Sequence, residues 1–495
     1  TALVSASARQ FPLRVLQIFA VSLLQIVIGI FLGATGQPAR RLRVLLSLPL
    51  RSRSLRGRRR QMEAIRSVSD ADVLPFLHPI SNRLISSLRS RDDDIVVTSG
   101  APVIRQRERT YGPTLAWFLI VLGILIGSRE FIRSGVPGVG SWLPVDLSTG
   151  ELLARWWSPW DARGVGTTLG SAGGFVVLAA LSAVPLIGSL LTGWGLGVGA
   201  VICGLIGIQR ITDVYPTSRP RVVALVVYAA GPVVPAVLGA GDIEALSVYA
   251  VLPWIVHLAR RFAGIVAADV STVEGDLVDG VLAVEPAQRR RLVSAIVLIS
   301  ATGGSMAPVV IPVAVVTLVI LAVSSWLMRS DLVVVTRFFT AAGAAALSYV
   351  LLLPSSLGWR WSALNGGELA GVVAENARYA ATFGGGSGVG LLGAALLVPL
   401  AAAILITRAW RLTWAVRGAS LVLVSMVLLV LAGRGVATAF LPTASVLSVV
   451  MLFGATFPAA GIAGGFGSDV LDRSFGWRQP LALVAHIAIV LGVVP

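Results

Sequence analysis

The 495-residue chain contains no lysine, a single cysteine and three histidines, and only 13 % of its residues are charged. Each shortage excludes something. A water-soluble domain carries about 25 % charged residues, and half that share over this length leaves too little polar surface to cover a soluble fold. The lone Cys203 lies in an apolar run, so it forms no internal disulfide and has no partner for a zinc site. His78, His257 and His486 show no metal-ligand spacing. We read them as structural and expect no metal and no cofactor. Walker A, HExxH, GxSxG and CxxC patterns are absent. The glycine patches at 170–174, 384–390 and 461–467 follow no strand and carry no lysine, so they read as flexible turns rather than phosphate loops.

The excess is apolar. Hydrophobic residues make up 56 % and the mean hydropathy is +0.85, which together predict an all-α, polytopic integral membrane protein. All 40 basic residues are arginine, and the net charge is +16. In a soluble protein that balance would point to nucleic acid. Here the arginines fall between apolar runs, which is the positive-inside pattern, so we expect membrane lipids as partners and no nucleic acid. Arginine without lysine, with abundant Ala, Val, Leu and Gly, fits a GC-rich, actinobacterial-type coding bias.

A spanning helix needs about 20 mostly apolar residues. The first candidate is 11–33. The most polar stretch follows at 34–112, with a run of arginines (Arg51, Arg53, Arg56, Arg58, Arg59, Arg60) and then Asp92, Asp93 and Asp94. We expect this stretch to be a cytoplasmic linker whose amphipathic pieces lie along the inner leaflet. Apolar runs continue at 113–127, 195–208, 222–239, 245–258, 292–301, 309–327, 338–353, 389–406, 419–432, 444–463 and from 481 onward. The run at 175–190, broken by Pro185 and Gly188, is expected not to cross. The loops then alternate in charge, with the basic ones, such as the turn carrying Arg408, Arg411 and Arg417, on one side. That gives about 12 spans in the plasma membrane, the first entering from outside, with 113–495 as the polytopic domain. The spans read as nearly free of charge, Arg434 and His486 excepted. The chain opens without methionine and stops inside the run LALVAHIAIVLGVVP, so we expect it to belong to a longer polypeptide.

The external loop 128–174 is the richest in chemistry. It holds Trp142, Trp156, Trp157 and Trp160 beside Asp146, Asp161, Arg155 and Arg163. Tryptophan faces stack on sugar rings as well as anchoring at interfaces, arginine forks bind phosphate, and a carboxylate here is placed to act as general base on a sugar hydroxyl. A helix cap or an ion pair is the plain alternative for either aspartate. The loop 354–388 repeats the flavour with Trp359, Arg360 and Glu368, over a segment that also reads as an amphipathic surface helix. The turn GDIE adds Asp242 and Glu244 to the same expected rim.

The order of LPVDL, WWSPWDARGVGTT, a Pro-broken apolar stretch, IGIQRI, VVALVVYAAGPVVPAVLGAG, GDIEAL and VLPWIVHLARR resembles GT-C-class glycosyltransferases of the actinobacterial cell envelope, including the large mycobacterial arabinofuranosyltransferases. It resembles more closely the membrane halves of large actinobacterial proteins that begin with a family-2 glycosyltransferase domain, in which 1–33 would be the second arm of a hydrophobic hairpin. The resemblance is best over 113–262. It implies a GT-C-like fold, a polyprenyl-phosphate sugar donor, a cell-envelope glycan or glycolipid acceptor, and an acidic general base in the first external loop. By position that base is Asp146, with Asp161 as substitute. Arg155 or Arg163 would neutralise the leaving phosphate, while Trp156, Trp157 and Trp160 stack on sugar. The adjacent acidic pair of such enzymes is missing here, so a non-catalytic lipid-linked glycan-binding module, a flippase or a scaffold stands as the alternative.

Overall fold

A computed structural model describes residues 112–129, 148–157, 174–183, 195–215, 217–265, 285–328, 332–353, 393–434, 441–466 and 477–493. The chain divides into two compact units, Thr1–Arg109 and Thr110–Pro495, and every described residue belongs to the second. The expected helix at 11–33 and the linker at 34–112 lie outside the described residues, apart from Gly112.

Among the described residues the backbone is almost entirely helical and contains no strand. The elements are α1 (Gly112–Gly127), α2 (Thr149–Trp157), α3 (Gly174–Ser182), α4 (Ala200–Ile211), α5 (Ser218–Ala230), α6 (Val233–Ala240), α7 (Ile243–Ala263), α8 (Pro286–Met306), α9 (Val310–Leu327), α10 (Leu332–Leu351), α11 (Leu397–Ile406), α12 (Ala409–Gly433), α13 (Ala444–Gly465) and α14 (Arg478–Val493). Seven helices are long and apolar enough to cross a membrane: Leu196–Val214, Ser218–Ala240, Ile243–Ala263, Val310–Leu327, Leu332–Leu351, Trp410–Ala432 and Ala444–Gly465. Three shorter apolar helices accompany them at Ala116–Gly127, Ala394–Ile406 and Arg478–Gly492. The protein is therefore a membrane-embedded helical bundle, with seven such spans among the described residues where the sequence predicts about twelve in all. Helix α3 has 9 residues. At 1.5 Å per residue that is about 14 Å, under half the hydrocarbon thickness.

Local chemistry sets the helix ends. Asp242 caps α7, its Oδ1 accepting from the Ala245 N–H at 3.0 Å. Gly264, at φ 80°, ends it in the left-handed conformation open to glycine. Gly241, at φ 66°, closes α6 in the same way. Helix α8 begins with Pro286 in its first turn and runs through Arg289, Arg290 and Arg291, because proline suits that position and arginine is a good helix former.

The centre of the bundle is α13, buried from residue 446 to 463 and without a charged residue along its length. Its 22 residues span about 33 Å, close to the hydrocarbon thickness. Small residues let its neighbours approach. A Cβ on Gly454 would sit 2.8 Å from the Gly418 carbonyl oxygen of α12, a backbone-to-backbone crossing of the kind glycine permits between membrane helices. On the far side, α4 meets α7 through Gly204, where a Cβ would lie 2.6 Å from the Tyr249 carbonyl oxygen.

One expected boundary is corrected. The apolar run read as 419–432 begins ten residues earlier in the structure, since α12 starts at Ala409. Arg417 is thus inside a span and fully buried, not in a solvated basic turn. His257 and Arg260 are likewise buried within Ile243–Ala263, so the expectation of nearly charge-free spans does not hold.

Candidate functional site

The antiparallel packing sorts the polar groups to two ends. One end is acidic. Ser445 at the start of α13 donates to Oδ2 of Asp242 at the start of α7, and Thr443 caps α13 beside it, accepting from the Val446 N–H at 3.5 Å. Ile243, next in sequence to Asp242, packs in one apolar cluster with Leu152, Phe175, Leu178, Ala179 and Leu196, against which Met306 also rests. This cluster joins α2 to the acidic end of the bundle. A side-chain bond between Thr149 Oγ1 and Ser182 Oγ, 2.8 Å long, fastens α2 to α3.

Helix α2 is the described part of the tryptophan-rich loop. Its first turn is a capping box. The Glu151 N–H donates to Ser148 Oγ at 3.3 Å, and the Ser148 N–H donates to Glu151 Oε2 at 2.8 Å. The capping position of this helix therefore belongs to Ser148. Leu152 turns inward at 1 % exposure, while Trp156 and Trp157 are 36 % and 79 % exposed. Their ring centroids stand 5.4 Å apart, edge to face. A short helix with one apolar face down and two indoles outward suits an interfacial helix.

Of the residues singled out from the sequence, the structure brings Trp156, Trp157, Asp242 and Glu244 to this one end. Arg155 lies on α2, immediately before Trp156 in sequence. Asp146, Trp160, Asp161, Arg163, Trp359, Arg360 and Glu368 lie outside the described residues. Both oxygens of Asp242 are engaged, one as helix cap and one by Ser445. Among the described residues no group of three or more His, Cys, Asp or Glu side chains gathers to hold a metal.

The other end is basic. Arg210 and Arg221 share Asp213, at 3.8 Å and 3.4 Å. Several guanidiniums turn inward to carbonyls where helices stop. Arg221 Nε donates to Tyr215 O at 2.8 Å, Arg337 Nη1 to Ala263 O at 2.8 Å, and Arg260 reaches Arg210 O and Ile265 O at 3.5 and 3.4 Å. These bonds satisfy carbonyls that a helix terminus leaves open and complement its dipole. Burial pushes the Tyr215 phenol above its usual pKa, and the Arg411 charge pulls partly back. The group stays protonated and donates to Phe457 O at 3.4 Å.

Sequence reading missed Arg417. Its Nε donates to Ser325 Oγ at 3.1 Å, and its guanidinium lies 4.9 Å from the Trp414 ring centroid and 5.8 Å from that of Phe338. A signal was present. Trp414, Arg417 and Leu421 fall at helical spacing and all face the core, so the apolar period runs through the arginine instead of ending at it. In comparisons with known proteins, no family model, no curated protein and no solved structure matches the chain.

Proposed function

We propose that this chain is a membrane glycosyltransferase, or the membrane module of one, that transfers a sugar from a polyprenyl-phosphate donor to a cell-envelope glycan or glycolipid on the extracytoplasmic face of the plasma membrane. The observation that carries the reading is the junction of α2 with the acidic end. Leu152 and Ile243 share one apolar cluster, so the exposed Trp156 and Trp157 stand on the same end as Asp242 and Glu244. A lipid-linked sugar needs such a place, with apolar helix walls for the tail and indoles and carboxylates at the headgroup level. In this reading the basic end and the 34–112 linker face the cytoplasm. Asp146, just ahead of the Ser148 cap, takes the acceptor hydroxyl proton, with Asp161 as substitute. Arg155, Arg163 and Arg360 meet the phosphate, and Trp160, Trp359 and Glu368 complete the sugar subsite.

The test is turnover of a radiolabelled polyprenyl-phosphate sugar by the purified chain and by Asp146→Asn. Loss of the general base lowers the rate on the order of 10²–10⁴-fold. Full activity in the variant removes Asp146 from the role. One observation favours the alternative of a non-catalytic lipid-linked glycan binder or flippase, namely the buried Arg417 within a span, since intramembrane ionisable residues mark transport paths. Transbilayer movement of a fluorescent lipid-linked sugar, lost in Arg417→Gln and kept in Asp146→Asn, would select it.

A further inference from the structure

We infer that the hairpin 233–252, made of α6 and the first half of α7, turns as a unit on two proline joints, with the Tyr228–Tyr249 pair as its releasable clasp. The inference stands on the fold alone, whatever the chemistry at the acidic end.

Each end of the hairpin meets a proline. Pro253 lies inside α7. Pro232 stands between α5 and α6, which together form the one span Ser218–Ala240. Proline has no N–H, so the carbonyl four residues before it loses its helical donor. Those two carbonyls belong to Tyr249 and Tyr228. Each is filled from the other helix. Tyr228 Oη donates to Tyr249 O at 2.8 Å, and Tyr249 Oη to Tyr228 O at 3.0 Å. At both joints a side-chain hydroxyl thus supplies the bond that the helical ladder supplies elsewhere.

The proline break of α13 is closed differently. Pro458 lies inside that helix, and the Gly454 carbonyl it opens is pressed against the Gly418 backbone of α12. Parting that contact means parting two main chains. At the α7 joint, α4 presents Gly207 to Pro253 and Gly204 to the Tyr249 carbonyl, so at these two points it offers no side chain to wedge the joint. The carbonyl there is held by a hydroxyl, whose bond breaks and re-forms without parting two backbones.

The hairpin also has room and reach. Pro235, Gly239 and Ala240 leave the outer side of α6 exposed. The tip is tied by Ser445 on Asp242 and by Ile243 in its apolar cluster. Asp242 stands 11 residues before Pro253, a lever of about 16 Å, so a turn of about 10° at the joint carries the tip about 3 Å. That displacement parts Asp242 from Ser445 and opens the acidic end.

The test is the distance between paired spin labels on the full chain in lipid nanodiscs, read by pulsed electron resonance in a Cys203→Ser background. Labels at Gly239→Cys and Gly343→Cys report the hairpin against α10. Labels at Gly123→Cys and Gly343→Cys report two helices outside it. All three glycines have nothing within 4 Å of an added Cβ. We expect the first pair to show a main and a minor displaced component. Each hydroxyl bond lost shifts their balance about five-fold, so Tyr228→Phe with Tyr249→Phe should make the displaced component prominent and leave the second pair unchanged. Adding Pro253→Ala restores a backbone donor to Tyr249 O and keeps the Cβ that meets Gly207, and should narrow the distribution again. An unchanged first pair in the double Phe variant would overturn the inference. So would equal broadening of both pairs, which would make the tyrosines general supports of the fold, or failure of Pro253→Ala to narrow the distribution, which would place the motion elsewhere.

Discussion

Tyr228 and Tyr249 each donate to the other's backbone carbonyl. Tyr228 Oη lies 2.8 Å from Tyr249 O, and Tyr249 Oη lies 3.0 Å from Tyr228 O. Their rings stack at 4.1 Å with 10° between the planes. The pair ties α5 to α7 at a level where both side chains are fully buried, and it satisfies both hydroxyls without a charged partner.

This reciprocity makes the two bonds interdependent. Tyr228→Phe or Tyr249→Phe removes one bond and keeps the stacking, at an expected cost of about 0.5–1.5 kcal/mol each. The double variant should cost less than the sum, because the ring geometry that supports one bond also supports the other. Denaturant unfolding in mixed micelles measures the cycle. Strict additivity would mean that the two bonds form independently.

The crossing of α12 and α13 is less forgiving. Each of Gly418 and Gly454 faces the other's carbonyl, so a side chain at either position must push two backbones apart. Gly454→Val should cost about 1–3 kcal/mol or more through overpacking, whereas Gly239→Ala, where nothing lies within 4 Å of the added carbon, should be nearly silent. A comparison of their melting temperatures in one detergent checks the contrast.

Much of this architecture is legible in the apolar runs, and the exceptions have physical causes. The run at 309–327 appears as Val310–Leu327 and the run at 444–463 as Ala444–Gly465, because no charge interrupts them and their ends carry turn residues. The reading fails at Arg417. Charge counting treats an arginine as a loop marker, yet here the guanidinium is covered by Trp414, Phe338 and Ser325. Helix α8 was legible only in its apolar middle, since its three arginines continue the helix instead of ending it. The candidate site was legible as separate loops. Its assembly was not, because the contact of Leu152 with Ile243 joins residues far apart in the sequence, and a hydropathy profile carries no such information.

Orientation can be measured with the single cysteine removed. In a Cys203→Ser background, Gly150→Cys lies on the exposed face of α2 with nothing within 4 Å of its Cβ. Thr217→Cys is exposed at the basic end. If the basic end is cytoplasmic, a membrane-impermeant maleimide labels Gly150→Cys in intact cells and reaches Thr217→Cys only after the membrane is opened. The reverse pattern would invert the topology and move the proposed sugar site to the cytoplasmic face.

Asp242 separates structure from chemistry at the acidic end. Its carboxylate caps α7 and receives Ser445, two tasks that hold α7 and α13 in register. Asp242→Ala should therefore destabilise the fold by about 0.5–2 kcal/mol through the lost cap, and somewhat more through the Ser445 hydroxyl left without this acceptor. Asp242→Asn should recover most of the cap, since asparagine is an equally good capping residue. Sugar transfer per folded molecule should stay close to wild type in the Asn variant, because both oxygens are already occupied. A general base lost from the reaction would instead show as a fall of 10²-fold or more, in the approximate range for such groups. A fall of that size in Asp242→Asn with unchanged stability would transfer the catalytic role from the α2 loop to the α7 cap.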